Sequence, residues 1–139
     1  MSSDFEVHNL TRPGQVAGRA RAAVSLGQRM RGLLGSRGLG PGQGLWISPC
    51  RQVHTFFMRF AIDVVFLDRG QRVVGVCRDL PPWRLSPWRW TAASALELGA
   101  GAARDIAVGD VLEFRPAPNL AVAGPQVGGE TLAQGEGSA

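Results

Sequence analysis

The stretch "CRQVHTFFMRFAIDVVFLD", residues 50–68, decides the fold, because it is the most apolar segment of the chain and ends in a run typical of a buried strand. Its residues 62–68 are rich in branched and aromatic side chains and predict a strand. A hairpin turn over residues 68–71, with Gly70 at the position that needs a positive φ, leads to a partner strand over residues 72–80. The segment therefore predicts an antiparallel hairpin within a β-rich fold.

Further strands are expected on both sides of this hairpin. They cover residues 5–10, 15–24, 44–49, 95–98 and 111–114. A capping pattern, Ser25 with Gln28, and an apolar stripe along one face predict a helix over residues 25–38. A second short helix is expected near residues 102–106, followed by a turn at 108–110. The glycine-rich residues 38–44 follow a helix and precede a strand, the reverse of a phosphate-binding loop, so they are interpreted as a connector.

Length and turn composition define the fold class. The chain has 139 residues, a length typical of one domain, with 19 glycines and 9 prolines that indicate many turns. We expect a mainly β (α+β) fold, a compact antiparallel β-sandwich or barrel with one or two short helices, in a single domain over residues 1–115. Residues 116–139 are rich in Gly, Pro and Ala and carry no aromatic side chain, which predicts a disordered tail.

The composition argues against several classes of protein. The net charge is +4 and all 15 basic residues are arginine, but they are spread along the chain, a pattern that does not favour nucleic acid. The sequence shows no signal peptide and no apolar run of the roughly 20 residues that a membrane span needs, so we expect a cytoplasmic protein without membrane contact. Its two cysteines do not form a disulfide framework, and nothing in the sequence calls for a cofactor.

Five blocks of sequence resemble one known family. They are "QRMRGLLG" (28–35), "GLWI" (44–47), "VHTFFMRFAIDVVFLD" (53–68), "ALELGAG" (95–101) and "GDVLEF" (109–114). In this order, over roughly residues 12–115, they are similar to the uncharacterised bacterial and archaeal family known as domain of unknown function 192. The resemblance implies a compact, mainly β fold with one or two short helices. It implies no activity, so the function has to be argued from individual residues.

Three ionisable groups lie within the apolar segment, namely His54, Arg59 and Asp63. If residues 53–60 are extended, His54 and Met58 share one face, and Thr55 and Arg59 share the other. His54 is then either a core histidine bonded to a backbone carbonyl or an imidazole at the mouth of a pocket.

The acidic residues carry a similar pair of alternatives. Asp63 is expected either to form an ion pair with Arg59 or Arg31 or to serve as a catalytic carboxylate. Glu97, which lies among small apolar residues, is either a buried salt-bridge partner or a second carboxylate of a pocket. Arg59 could instead bind an anionic ligand through its planar guanidinium.

A metal site is not favoured by the spacing of the possible ligands. Cys50 and His54 form one C-x3-H pair, which His8, Cys77 or Asp63 could join. A tetrahedral zinc site usually needs two close pairs, and only one is visible. The same Cys50 and His54 could be a nucleophile and its base, but no acyl-transfer signature surrounds them.

Residues 81–90, "PPWRLSPWRW", contain three prolines and predict a long loop. Trp83, Trp88 and Trp90 alternate there with Arg84 and Arg89. This pattern suits stacking on flat ligands, sugars or single-stranded nucleic acid. The other interpretation is a lid over the barrel held by cation–π contacts between these arginines and tryptophans.

Three hypotheses of function follow. The first is a non-enzymatic module that binds a small polar or anionic molecule in a pocket partly covered by the tryptophan loop. Its candidate ligand-binding residues are Arg31, His54, Thr55, Met58, Arg59, Asp63 and Glu97. The second is a hydrolase or isomerase that uses His54 with Asp63 or Glu97 as acid and base. The third is a partner-binding protein whose tryptophans fill pockets of the partner.

Overall fold

The computed structural model describes residues 4–23, 39–40 and 42–116, which form one seven-stranded sheet. Its strands are β1 (Asp4–Asn9), β2 (Gly14–Ala23), β3 (Gln43–Ile47), β4 (Ile62–Leu67), β5 (Val73–Leu80), β6 (Ser94–Gly99) and β7 (Leu112–Pro116). The order across the sheet is β5-β4-β6-β3-β2-β1-β7. The mainly β fold is thereby confirmed. The predicted helix over 25–38, which includes Arg31, and residues 117–139 of the predicted tail lie outside the described residues, and the domain boundaries stay a prediction.

The sheet is mixed and strongly curled. Its neighbouring strands run antiparallel, as expected, except for β2 and β3, which are parallel. The two edge strands meet at one end, where Arg72 pairs with Val111 and the Val73 N–H donates to the Asp110 carbonyl at 2.7 Å. The sheet is therefore a half-barrel whose edges are joined over a few residues.

Apolar side chains form a core on each face of the sheet. One cluster, which we call the inner core, draws side chains such as Val65 and Leu96 from strands all round the sheet. The outer core lies on the other face, where Phe66 and Ala95 pack against Val53 and Met58 from the connecting segment. Strands buried on both faces are apolar at nearly every position, and this explains the unbroken run of β4.

The structure differs from the expectations drawn from sequence in two segments. Residues 53–60 are not extended, because the chain turns at Phe56–Phe57 and pairs only at His54, through an isolated bridge to Leu85. Residues 102–106 form turns instead of a short helix. There the backbone N–H groups of Gly101 and Ala103 donate to the Asp63 carboxylate, which holds the loop in its turns.

The β4–β5 hairpin is confirmed, but its turn is built differently from the prediction. The residue with a positive φ is Gln71, at 64°, and Gly70 does not have one. Asp68 explains the difference, because its Oδ1 accepts hydrogen bonds from the N–H groups of Gly70 and Arg72, both at 2.9 Å. The aspartate side chain therefore sets the turn, as Asp often does at such positions.

Candidate functional site

The Asp63 carboxylate accepts hydrogen bonds from the backbone. Its side chain is 1% exposed, and its two oxygens accept N–H groups from Asp79 at 2.8 Å, Gly101 at 3.0 Å and Ala103 at 2.8 Å. No salt bridge joins it to Arg59 within the described part of the chain, and Arg59 lies exposed at the surface, so this predicted ion pair is wrong. The alternative partner, Arg31, lies outside the described residues. The Asp63 charge is stabilised by three N–H donors that join β4 to β5 and to the loop after β6.

Thr55 connects the segment before β4 to the tryptophan loop. It is completely buried, and its carbonyl accepts the N–H groups of Met58 at 3.1 Å and Trp83 at 2.9 Å. Its hydroxyl donates to the Pro81 carbonyl at 2.5 Å and accepts the Arg84 N–H at 2.9 Å. Thr55 therefore fixes both turns that carry the exposed aromatic residues, and its hydroxyl is already used inside the fold.

His54 and three aromatic residues form a continuous surface, which we call the aromatic patch: His54, Phe56, Phe57 and Trp83. The half-buried His54 ring stacks on Phe56 at a centroid distance of 4.9 Å, and its Nδ1 accepts the Phe56 N–H at 3.3 Å. Trp83 lies 6.2 Å from Phe56 and 4.6 Å from Phe57. Phe57 and Trp83 remain 59% and 55% exposed, so the tryptophan is not tucked under the fold.

The other predicted ligand-binding residues are buried. Met58 is part of the outer core, and Glu97 is completely buried on β6, where its backbone pairs with Leu45 and Val64. Of the described candidates, Thr55, Met58, Asp63 and Glu97 are therefore inside the protein. His54 and Arg59 reach the surface, and the fold does not assemble the six around one open pocket.

An open groove of about 810 Å³ lies instead at the other end of β4. It is lined by Ser48, Pro49, Cys50, Arg51, Asp68, Arg69, Gly70, Trp88, Trp90, Thr91, Ala92 and Ala93. Trp88 and Trp90 meet edge to face at 5.6 Å, with Trp90 80% exposed. Sequence reasoning identified both tryptophans but missed Arg51 and Arg69, because only the fold brings the β4–β5 turn beside the loop.

The electrostatics of the groove favour an anion. Arg51 and Arg69 are exposed, and neither makes an ion pair within the described ranges. The single acidic residue of the lining is Asp68, and one of its oxygens already accepts two N–H groups of the turn. Two cations therefore face one carboxylate that is partly neutralised by hydrogen bonds.

Arg89 points inward, away from the tryptophans on either side of it. Its guanidinium lies over the Phe66 ring at 5.8 Å, in space left by Gly75, where an added Cβ would lie 2.7 Å from Nε. The cation–π contact of Arg89 is therefore made with a core phenylalanine, and the interpretation that it stacks on the loop tryptophans is wrong. Burial raises the pKa of the nearby Cys77 thiol, the Arg89 charge lowers it in part, and the Asp63 charge raises it.

Neither a metal site nor a membrane span is found in the part that the structure describes. Residues 4–23, 39–40 and 42–116 contain no group of three His, Cys, Asp or Glu side chains placed to hold a metal ion. Cys50 donates its thiol hydrogen to the Gln52 carbonyl at 3.2 Å. Across the same ranges, no helix has the length and apolar character needed to cross a membrane.

Comparison with known proteins identifies relatives without an established activity. The model of the family described as "Uncharacterized ACR", domain of unknown function 192 (DUF192), matches residues 8–114. A protein of unknown function from Novosphingobium aromaticivorans DSM 12444 is 20% identical with a TM-score of 0.67, covering 81% of this chain and 84% of that one. A "putative transcription regulator" from Sinorhizobium meliloti 1021 is 20% identical with a TM-score of 0.69, covering 82% and 94%. At this identity the likeness shows the fold alone. No curated protein matches the chain significantly.

Proposed function

The chain belongs to the family of domain of unknown function 192, and from the geometry of its groove we propose that it is a non-enzymatic module that binds a small, flat, anionic molecule. Trp88 and Trp90 stack on the ligand, and Arg51 and Arg69 pair with its charge. The site differs from the pocket expected around residues 53–63, and the proposed ligand is a narrower class within the polar or anionic molecules that the sequence predicted.

One observation carries the proposal, namely that two exposed tryptophans and two exposed arginines line one groove. Its volume of about 810 Å³ lies within the range of about 300–1,000 Å³ that small-molecule sites occupy. Exposed apolar side chains that lie together, as Trp88 and Trp90 do, mark binding sites in a way that single exposed ones do not. Arginine binds carboxylate and phosphate groups through two parallel hydrogen bonds, and tryptophan offers a wide apolar face to a planar group.

The carboxylates proposed for catalysis do not support the enzymatic alternative. Asp63 and Glu97 are both buried, and both oxygens of Asp63 already accept backbone N–H groups. General acid–base catalysis needs a carboxyl group within reach of a bound substrate. Neither residue lines the groove, so binding without chemistry is the function that this geometry favours.

Fluorescence titration with a defined panel of probes tests the proposal. Adenosine monophosphate, glucose 6-phosphate and benzoate separate a flat anion from a non-planar anion and from a minimal aromatic carboxylate. We expect a flat anion to bind, and we expect Trp88→Ala/Trp90→Ala and Arg51→Gln/Arg69→Gln each to weaken it by about tenfold, about 1.4 kcal/mol. Trp83→Ala is the matched control, because it removes an exposed tryptophan outside the groove. Equal binding by the groove variants and the wild type, or binding by none of the panel together with a bare chain mass after purification from its host, would exclude this function.

A further inference from the structure

The aromatic patch is a second surface, separate from the groove. Phe56, Phe57 and Trp83 are all exposed. The neighbouring Leu85, which forms an isolated β-bridge with His54, is exposed as well. None of these residues lines the groove. The patch therefore does not depend on the ligand proposed above, and its exposed apolar side chains need an explanation of their own.

The backbone holds two of these side chains outward in an unfavourable conformation. Phe57 has a φ of 68° and Trp83 a φ of 62°, in a region that bulky L-residues rarely adopt. Both turns are held by the buried Thr55, whose carbonyl accepts the N–H groups of Met58 and Trp83. Strained residues of this kind cluster at functional sites, where the surrounding structure compensates for them. The pairing of two such turns through one residue indicates that the patch is presented for binding.

The charge of this face points to an acidic partner. The two segments that build it, residues 48–61 and 80–93, contain Arg51, Arg59, Arg84 and Arg89 and no acidic residue. Arg59 and Arg84 are exposed beside the aromatic turns, and the acidic residues that flank the two segments are Asp63, which is buried, and Asp79, just before the second segment. Two copies of such a face would bring like charges together, which disfavours a symmetric contact between two copies of this chain.

The arrangement of the rings favours a protein over a nucleic acid. His54 stacks on Phe56 with an interplanar angle of 26°, Phe56 is tilted by 30° relative to Trp83, and Phe57 meets Trp83 at 57° with ring centroids 4.6 Å apart. One face of the Phe56 ring is thus occupied by His54, and Phe57 and Trp83 pack against each other at a steep angle, whereas bases of a single strand stack on free ring faces. The exposed Leu85 adds an aliphatic side chain beside the rings, which suits contact with apolar side chains of a protein.

We propose that the aromatic patch docks a short acidic segment of a partner protein, which packs an apolar side chain against Phe57 and Trp83. Aspartate or glutamate residues of that segment pair with Arg59 and Arg84. Aromatic residues and arginine are the residue types that dominate the binding energy of protein interfaces, and charge complementarity selects the partner. Thr55 acts as a positioning residue, because it holds the two turns without touching the partner.

Selection from a phage-displayed library of short random peptides tests this docking site. We expect the wild-type protein to select peptides that combine acidic residues with an apolar one. Phe57→Asn/Trp83→Asn should bind them about tenfold more weakly or worse, because asparagine tolerates the positive φ of both turns but lacks the rings. Arg59→Glu/Arg84→Glu should lose them and select basic peptides instead. Trp88→Ala/Trp90→Ala is the control and should bind as the wild type does, and thermal unfolding confirms that each variant folds.

Other outcomes would overturn the proposal. Selected peptides without an acidic bias, or peptides that bind both patch variants unchanged, would show that this face does not recognise an acidic segment. Patch-dependent binding of an oligothymidine strand, or of vesicles made of phosphatidylcholine and phosphatidylglycerol, in the absence of peptide binding would assign the surface to a nucleic acid or a lipid. A dimer that dissociates in Phe57→Asn/Trp83→Asn would assign it to a second copy of the chain.

Discussion

The carboxylate of Asp63 on β4 accepts the backbone N–H of Ala103, 2.8 Å away, and so joins the central hairpin to the loop after β6. Because the same carboxylate accepts two further N–H groups, Asp63→Ala leaves three donors without their acceptor, and the Ala103 N–H among them is buried. We expect a loss of about 3 kcal/mol or more in the free energy of unfolding, measured by urea denaturation.

Asp105 provides the control for this prediction. It lies exposed in the loop that Asp63 holds, and Asp105→Ala should change the free energy of unfolding by about 0.5 kcal/mol at most. If Asp63→Ala were as stable as Asp105→Ala, the three hydrogen bonds would not be the reason for a buried aspartate at this position.

Arg89 and Cys77 provide a test of the outer core. The pKa of the Cys77 thiol is raised chiefly by burial, and the Arg89 charge offsets part of that rise. Arg89→Met removes the cation, so the pKa of Cys77 should rise further and its alkylation by iodoacetamide near pH 8 should become slower. Mass spectrometry of the Cys77 peptide measures the rate separately from that of Cys50. The variant also loses the contact with Phe66, at a cost of about 1 kcal/mol.

Arg84→Met is the matched variant for this experiment, because Arg84 is a loop arginine that is exposed and does not stack on Phe66. It should leave the pH dependence of Cys77 alkylation unchanged. Identical profiles for Arg89→Met and the wild type would mean that the guanidinium does not act on the thiol.

The strands could be predicted from sequence because their signal is local. The run from Ile62 to Leu67 is apolar at all but one position, and this pattern identifies a strand buried on both faces. The segment from Val53 to Phe60 misled the prediction, since its composition is that of a strand. What breaks it is the hydrogen bonding of Thr55 to residues 26 to 29 positions later, which no local pattern reveals.

The candidate site was harder to predict than the fold for the same physical reason. An aspartate in an apolar segment indicates that its charge is compensated, but it does not say whether a guanidinium or backbone N–H groups compensate it. The donors to Asp63 come from positions 16 to 40 residues away. Likewise, Arg51 and Arg69 join Trp88 and Trp90 only after the sheet curls, so the groove has no signature in one stretch of sequence.

The Asp110 carboxyl lies where the two edges of the sheet are joined, and its lowered pKa predicts how the free energy of unfolding depends on pH. Burial raises the pKa of its carboxyl, but hydrogen bonds from Asn9, Ala107 and Arg12 and the charge of Arg12 outweigh burial and hold the pKa below its ordinary value. A carboxyl with a lowered pKa stabilises the fold above its unfolded pKa of about 4, and this stabilisation is lost as the pH falls through the folded pKa. We therefore expect acid to weaken the junction of β5 and β7.

Urea denaturation of Asp110→Asn between neutral and acidic pH measures this contribution. The variant should be less stable than the wild type near pH 7, and the difference should shrink as the pH falls below about 4. Asp105→Asn, an exposed change nearby in the chain, should follow the wild-type curve. A gap between Asp110→Asn and the wild type that stayed constant with pH would contradict the assignment.

The Thr55 hydroxyl gives the last prediction, which concerns the turn that carries Trp83. Thr55→Val keeps the shape of the side chain but removes the acceptor of the Arg84 N–H and the donor to the Pro81 carbonyl. We expect a loss of about 1–3 kcal/mol in stability and faster hydrogen exchange at the Arg84 amide, measured by NMR. Ser86→Ala is the matched change in the tryptophan loop, because it also removes a hydroxyl that accepts a backbone N–H, that of Val53 at 3.0 Å. It should accelerate exchange at Val53 and leave Arg84 protected. If Thr55→Val left the Arg84 amide as slow as in the wild type, the hydroxyl would not be what holds the aromatic turn in place.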